Sequence, residues 1–147
     1  MRSIVVIDDS KDIHRLIRSA FTEEPWRVHS AHRGSEGLDI AASHAADLVL
    51  LDVDLPDMNG FDVCRHLKAD SRTSRTSIIF LTSASASDEK ICGLQLQAAD
   101  YMTKPFDAQE LRVRTRSALR IKTIMDMMPT CIVNFPSRED FGVPKCL

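Results

Sequence analysis

Hydrophobic residues fall in short blocks along this chain, and four blocks end on polar residues of different kinds. Ile4-Val5-Val6-Ile7 runs into Asp8-Asp9, and Leu48-Val49-Leu50-Leu51 runs into Asp52. Ile78-Ile79-Phe80-Leu81 runs into Thr82-Ser83, and a shorter run through Tyr101-Met102 runs into Thr103-Lys104-Pro105. Short, β-branched apolar runs predict buried strands, here Ser3 to Ile7, Leu48 to Leu51, Ile78 to Leu81 and Ala98 to Met102. Trp26 to Ala31 alternates weakly, as a strand nearer a sheet edge would.

The segments between have helical spacing. Ser10 is placed to cap a helix carrying Ile13, Leu16, Ile17 and Ala20. Gly34 and Ser35 open a helix from Glu36 to Ser43, with Leu38, Ala41 and Ala42 on one side. Asp54 to Gly60 is a loop by composition, followed by a helix through Phe61, Val63, Cys64 and Leu67. Ser71 to Ser77 is a polar connector. Ser87-Asp88-Glu89 starts a helix through Ile91, Leu94 and Leu96, and Asp107 caps a last helix from Gln109 through Leu119 toward Met128. Five β-α units in a row predict a parallel sheet with helices on both faces. Right-handed crossovers fix most of its topology, and ligands in such sheets bind outside the carboxyl ends of the strands. The polar residues that end the apolar runs would meet at that edge.

Composition narrows the class. The chain has 147 residues, is 44% hydrophobic and 27% charged, and has a formal net charge of -2, which suits one soluble globular domain. That balance by itself points to neither nucleic acid nor membrane. No apolar run approaches the length of a bilayer span, and the N-terminus enters a strand pattern without the features of a signal peptide. Cys64, Cys92, Cys131 and Cys146 form no CxxC pair and are read as reduced thiols of a cytoplasmic protein. A zinc site lacks ligand spacing, and His29 and His32 have no cysteine or carboxylate near them in sequence.

Taken together, Asp8-Asp9, Asp52 with Pro56 and Gly60 downstream, Thr82-Ser83 and Lys104-Pro105-Phe106 resemble the receiver (CheY-like) domain of two-component response regulators over residues 3 to 120. Each motif alone is weak; four in order at successive strand ends are specific. The resemblance implies a flavodoxin-like (βα)5 fold with strand order 2-1-3-4-5, an order for which CheY is itself a reference example. Gathered carboxylates repel, which raises at least one pKa, and a bound cation removes that penalty. An all-oxygen donor set favours a hard ion such as Mg²⁺. The family assigns Asp9 and Asp52 as direct ligands, Asp8 as a partner and the backbone carbonyl of Asp54 as a further ligand. It makes Asp52 the phosphoacceptor for a phosphohistidine, with Lys104, Thr82 and Ser83 around the phosphoryl oxygens. It also implies a cis peptide before Pro105. The Asp54 side chain is either a tuner of acyl phosphate hydrolysis or a solvated loop carboxylate.

In the family, the hydroxyl corresponding to Thr82 moves toward the phosphoryl group and an aromatic, here Tyr101, turns inward. The fourth predicted helix, fifth strand and fifth predicted helix would be the responding face for an output domain, a partner protein or a homodimer. The expected upstream partner is a sensor histidine kinase or a phosphotransfer protein. Arg112, Arg116 and Arg120 form a stripe on the last helix, read as a solvated or salt-bridged face rather than a nucleic-acid surface. Ala118, Ile121, Met125 and Met128 continue as a short a/d seam, read as a signalling helix leading out of the domain.

Residues 1–122 are therefore expected to form the receiver domain, and 123–147 a helical extension and tail. From Pro129 the pattern breaks at Pro136, Gly142 and Pro144, and the tail is left open between a docked end, a disordered end and the start of a second module. Ile132 to Phe141 resembles the segment opening GGDEF-type diguanylate cyclase domains at Pro136, Arg138 and Phe141, but the usual Thr-Gly and Asn are absent. Two other functions compete with the phosphoacceptor. One is a haloacid-dehalogenase-type phosphohydrolase using Asp52-Val53-Asp54, which leaves Asp8-Asp9 unexplained. The other is a docking pseudo-receiver that takes no phosphate.

Overall fold

The short apolar runs become the strands of one sheet. In order, the elements are β1 (Arg2–Ile7), α1 (Lys11–Ala20), β2 (Trp26–Ala31), α2 (Gly34–Ser43), β3 (Leu48–Asp52), α3 (Gly60–Ala69), β4 (Ser77–Ser83), β5 (Asp100–Lys104) and α4 (Ala108–Met127). The computed structural model describes residues 1–83 and 98–127. The helix expected from Ser87, Cys92, Cys131, Cys146 and everything from Met128 onward lie outside the described residues. All strand pairings are parallel, and the order is β2-β1-β3-β4-β5. Trp26–Ala31 is indeed an edge strand.

Period-2 alternation divides the sheet into two buried faces. Ile4, Val6, Leu48, Leu50, Ile79, Leu81 and Met102 pack against Ile17 and Phe21 and against Leu111, Ala118 and Leu119 of α4. Val5, Ile7, Val49, Leu51, Ile78 and Phe80 pack on the other side against Ala41 of α2 and Val63, Cys64 and Leu67 of α3. Both faces are covered, which explains why the central strands are apolar without interruption. Each such aliphatic side chain, fully buried, contributes roughly 1.5–3 kcal/mol relative to exposure. Burial also pushes the Cys64 thiol up to about 11.

The helix ends follow local chemistry. Ser10 caps α1 by accepting from the Ile13 N–H, and Asn59 caps α3 by accepting from the Phe61 N–H at 2.7 Å. The Asp107 carboxylate accepts from the Glu110 N–H at 2.7 Å at the start of α4. Arg33 precedes α2 without a side-chain cap; instead Asp57, from the β3–α3 loop, accepts from the Gly34 and Ser35 N–H groups at 2.8 and 3.0 Å. Those two hydrogen bonds hold the Asp57 carboxyl down to about 2. No helix among the described residues is long and apolar enough to cross a membrane.

The last helix is one continuous element of 20 residues, so no break separates residue 122 from residue 123. Its final turns are tied to the amino-terminal edge of the sheet. Lys122 pairs with Asp126 at 2.6 Å and Asp47 at 3.6 Å, Arg2 pairs with Asp47 at 3.0 Å, and Arg2 also donates to the Thr123 hydroxyl. Val113, Ile121, Ile124 and Met127 are exposed on this helix. Ala118, placed at sequence level on the same seam as Ile121, is instead buried in the core. The arginine stripe is partly engaged: Arg112 donates to the Ala20 carbonyl and Arg116 pairs with Glu24.

Candidate functional site: an acidic pocket at the carboxyl edge

Strand register brings the polar run-ends together. Ile7 pairs with Leu51, Asp52 with Leu81, and Ser83 with Lys104. Asp8, Asp52 and Lys104 therefore follow Val6, Leu50 and Met102 on one face of the sheet. One carboxylate oxygen each from Asp8, Asp9 and Asp52 lies within 4.8 Å of the others. Lys104 Nζ stands 2.8 Å from Asp8 Oδ2 and 3.5 Å from Asp52 Oδ1. Asp8 and Asp52 are buried and Asp9 is exposed, so the cluster opens to solvent at Asp9.

The charges are unevenly compensated. Burial, then the neighbouring Asp8, raises Asp52 from 3.8 to about 6, against the opposing pull of Lys104 and the Asp54 N–H, with Asp9 adding to the rise. That N–H donates to Asp52 Oδ1 at 3.3 Å. Burial alone would lower the Lys104 ammonium, but its hydrogen bond and charge contacts with Asp8 and Asp52 leave it above its ordinary value. A carboxylate still short of positive charge among three oxygens is what a hard divalent cation would relieve. The donor set of this pocket therefore fits such an ion.

Thr82 is buried at the end of β4, on the face opposite Leu81, and pairs in register with Thr103. Tyr101 is half-buried and packs with the α2/α3 face of the core, in register with Phe80. Alternation thus puts Thr82 and Tyr101 on the same side of the sheet. Ser83 is exposed at the end of β4, next to Lys104. The Lys104–Pro105 peptide is cis. The Asp54 side chain is exposed and is not among the clustered carboxylates.

Two residues that the sequence pattern passed over support the pocket. His14 is buried on α1, and its Nε2 lies 2.7 Å from the Asp8 carbonyl oxygen. The signal was its place three residues before Ile17 and six before Ala20, on the buried stripe of α1. Burial lowers its pKa, partly offset by the Asp8 carbonyl. Asp57 is the second, since it ties the loop after Asp52 to α2; nothing in the local sequence announces a partner so far away.

Known proteins agree with this geometry. A family model described as response regulator receiver domain matches residues 4–116. The response regulator ArlR of Staphylococcus aureus is 36% identical over 128 residues, covering 87% of this chain and 57% of ArlR. The chain thus spans little more than half the length of that relative. Chemotaxis response regulator CheY4 of Vibrio cholerae is 25% identical with a TM-score of 0.75, covering 80% of this chain and 98% of CheY4. A BeF3-activated DrrB receiver domain is 32% identical with a TM-score of 0.73, covering 82% of this chain and 98% of DrrB. With these strands, this register and a match across most of its length, the chain belongs to the response regulator receiver domain family.

Proposed function

We propose that this domain is a phosphoacceptor switch that takes a phosphoryl group onto Asp52 from a sensor histidine kinase or phosphotransfer protein. The observation that carries the reading is the convergence of Asp8, Asp9 and Asp52 oxygens within 4.8 Å beside the Lys104 ammonium. An Asp52 carboxylate oxygen attacks phosphorus, the phosphorus–nitrogen bond of the phosphohistidine breaks, and the imidazole leaves with the bonding electrons and takes up a proton. Asp9 and Asp52 would hold Mg²⁺, with Asp8 as their partner and the Asp54 carbonyl as a further ligand. Such an ion would supply positive charge against the transferring oxygens. Lys104 exchanges its Asp8 and Asp52 contacts for the phosphoryl oxygens, and the Thr82 hydroxyl and Ser83 N–H complete the cradle.

The same reading assigns the Thr82–Tyr101 side of the sheet to the switch. Phosphorylation shifts a two-state equilibrium at β5, and the surface that β5 forms with α4, which packs on the other side of the sheet, controls an output domain, a partner or a second copy. A relative activated by BeF3, an anion of phosphoryl shape, supports the acceptor reading. The proposed compartment is the cytoplasm. The domain acts once per signal rather than as a turnover enzyme, and the exposed Asp54 tunes hydrolysis of the acyl phosphate. The phosphohydrolase reading has little support, because Asp54 stands outside the clustered carboxylates.

The test is intact mass after incubation with acetyl phosphate and Mg²⁺. One phosphoryl group is expected, absent in Asp52→Ala. No label on the folded wild-type chain would leave the docking pseudo-receiver, and steady release of phosphate without label would restore the hydrolase.

A further inference from the structure

Every polar group of Asp8 has a contact. Its N–H donates to the Ala31 carbonyl at 3.1 Å, Oδ1 accepts from the Ser10 N–H at 2.8 Å, and Oδ2 faces Lys104 at 2.8 Å. Its carbonyl is held by His14 Nε2 at 2.7 Å. The first two contacts come from β2 and the α1 cap, and the third from the pocket. The fourth comes from a buried imidazole one helical turn into α1.

A carbonyl oxygen only accepts, so His14 Nε2 carries the proton. Its Nδ1 is buried without a hydrogen-bond partner among the described residues, so a second ring proton there would have no acceptor. The His32 ring, 4.4 Å away between centroids, lies against it, and the His32 N–H is anchored on Glu36 at 2.8 Å. The imidazole is thus a neutral, one-proton donor clamped between α1 and the β2–α2 turn. The carbonyl it holds belongs to the Asp8–Asp9 peptide, and rotation of that peptide would swing the Asp9 side chain.

We propose that His14 is a positioning residue for the acidic pocket, its Nε2–H fixing the Asp8–Asp9 peptide so that the Asp9 carboxylate projects toward Asp52. The inference rests on the cation-binding reading of the pocket. Outer hydrogen bonds of this kind alter metal affinity by about 10–100-fold when removed.

Two variants separate donation from packing. His14→Phe keeps a ring against His32 and removes the donor; His14→Gln removes the ring and keeps an N–H at a similar reach. Mg²⁺ titration of the folded, unphosphorylated chain by calorimetry is expected to show about tenfold weaker binding in His14→Phe and near wild-type binding in His14→Gln. Labelling by acetyl phosphate should then need more Mg²⁺ in His14→Phe but reach a similar maximal rate. Equal affinity in wild type and His14→Phe, or loss in both variants, overturns the proposal. Nitrogen-15 shifts of the wild-type imidazole must show protonated Nε2 and bare Nδ1; the opposite tautomer also overturns it, even if His14→Phe does not fold. Failure of the wild type to bind Mg²⁺ is a different result, since it removes the phosphoacceptor reading itself.

Discussion

Gly60 presses its α-carbon against the backbone of Asp52. A methyl group there would fall inside the contact distance of the Asp52 carbonyl oxygen and 2.8 Å from Val53 Cα. The Gly60 N–H also donates to the Val53 carbonyl at 2.7 Å, so the first turn of α3 is tied to the strand end that carries Asp52. The obstacle is backbone, which cannot swing aside as a side chain would. Gly60→Ala is therefore expected to destabilise the fold by about 1–3 kcal/mol in urea titration. The fraction that remains folded should label more slowly with acetyl phosphate.

The pocket makes the metal-free domain less stable at neutral pH than its core alone would allow. Asp52 has a folded pKa of about 6, above its ordinary 3.8. Its neutral form is favoured by folding, so its contribution is complete below the unfolded value and is lost as pH rises through about 6. Asp52→Asn should stabilise the Mg²⁺-free protein at pH 7–8 by on the order of 1–3 kcal/mol, the lower end reflecting screening by solvent and Lys104. The difference should vanish near pH 4. Added Mg²⁺ should narrow it by stabilising the wild type more than the variant. Urea midpoints between pH 4 and 8, with and without Mg²⁺, check both statements.

A histidine pair pulls the other way. His29 of the edge strand stacks on His44 at 4.0 Å between centroids, and burial followed by the His44 charge lowers its pKa. Arg27 and Arg18 add to that lowering. A depressed imidazole stabilises the fold above its unfolded value of 6.5 and loses that contribution as pH falls. His44→Gln should flatten the acid side of the stability profile below pH 6.5, whereas Asp52→Asn alters the side above pH 4. Opposite slopes in the two variants are the expected signature.

Asp47 is the tie between the end of α4 and the sheet. It receives Arg2 at 3.0 Å, the Ser3 N–H at 2.9 Å and Lys122 at 3.6 Å. Asp47→Ala leaves the nearly buried Lys122 with Asp126 alone and should cost about 1–3 kcal/mol. Hydrogen exchange should accelerate in residues 120–127 while β3 stays protected. Uniform acceleration would mean the pair supports the whole fold rather than this helix end.

Much of this was legible from apolar blocks. The weak alternation of Trp26–Ala31 reads as a strand nearer an edge, because a strand at the rim of the sheet is less completely covered, and β2 is indeed the edge strand. The run-ends Asp8, Asp9, Asp52 and Lys104 were assembled from topology alone, since parallel strands put their carboxyl ends together. Boundaries failed where polar residues continue a strand. The apolar pattern puts β5 at Ala98 to Met102, and the strand runs from Asp100 to Lys104, because Ala99 only begins pairing through its N–H to the Ile78 carbonyl and Thr103 and Lys104 carry the ladder onward. β4 likewise extends to Ser83. The sequence pattern starts α2 at Glu36 and the helix begins at Gly34, because the carboxylate that accepts from its first N–H groups is Asp57, more than twenty residues downstream in the chain. A histidine breaks an apolar count, so His14 is not legible as a core position, although it is buried on the same stripe as Ile17 and Ala20.

The twenty-residue α4 has a geometric consequence. It starts beside Lys104-Pro105 at the carboxyl edge and finishes against Arg2 and Asp47 at the amino edge, a span of about 30 Å at the rise of an α-helix. A stiff rod thus joins the two poles of the domain. Because Leu111, Ala118 and Leu119 seat the rod on the sheet, a displacement at its pocket end would, under the proposed switch, reach the Arg2–Asp47 end through the helix as well as through the packed strands.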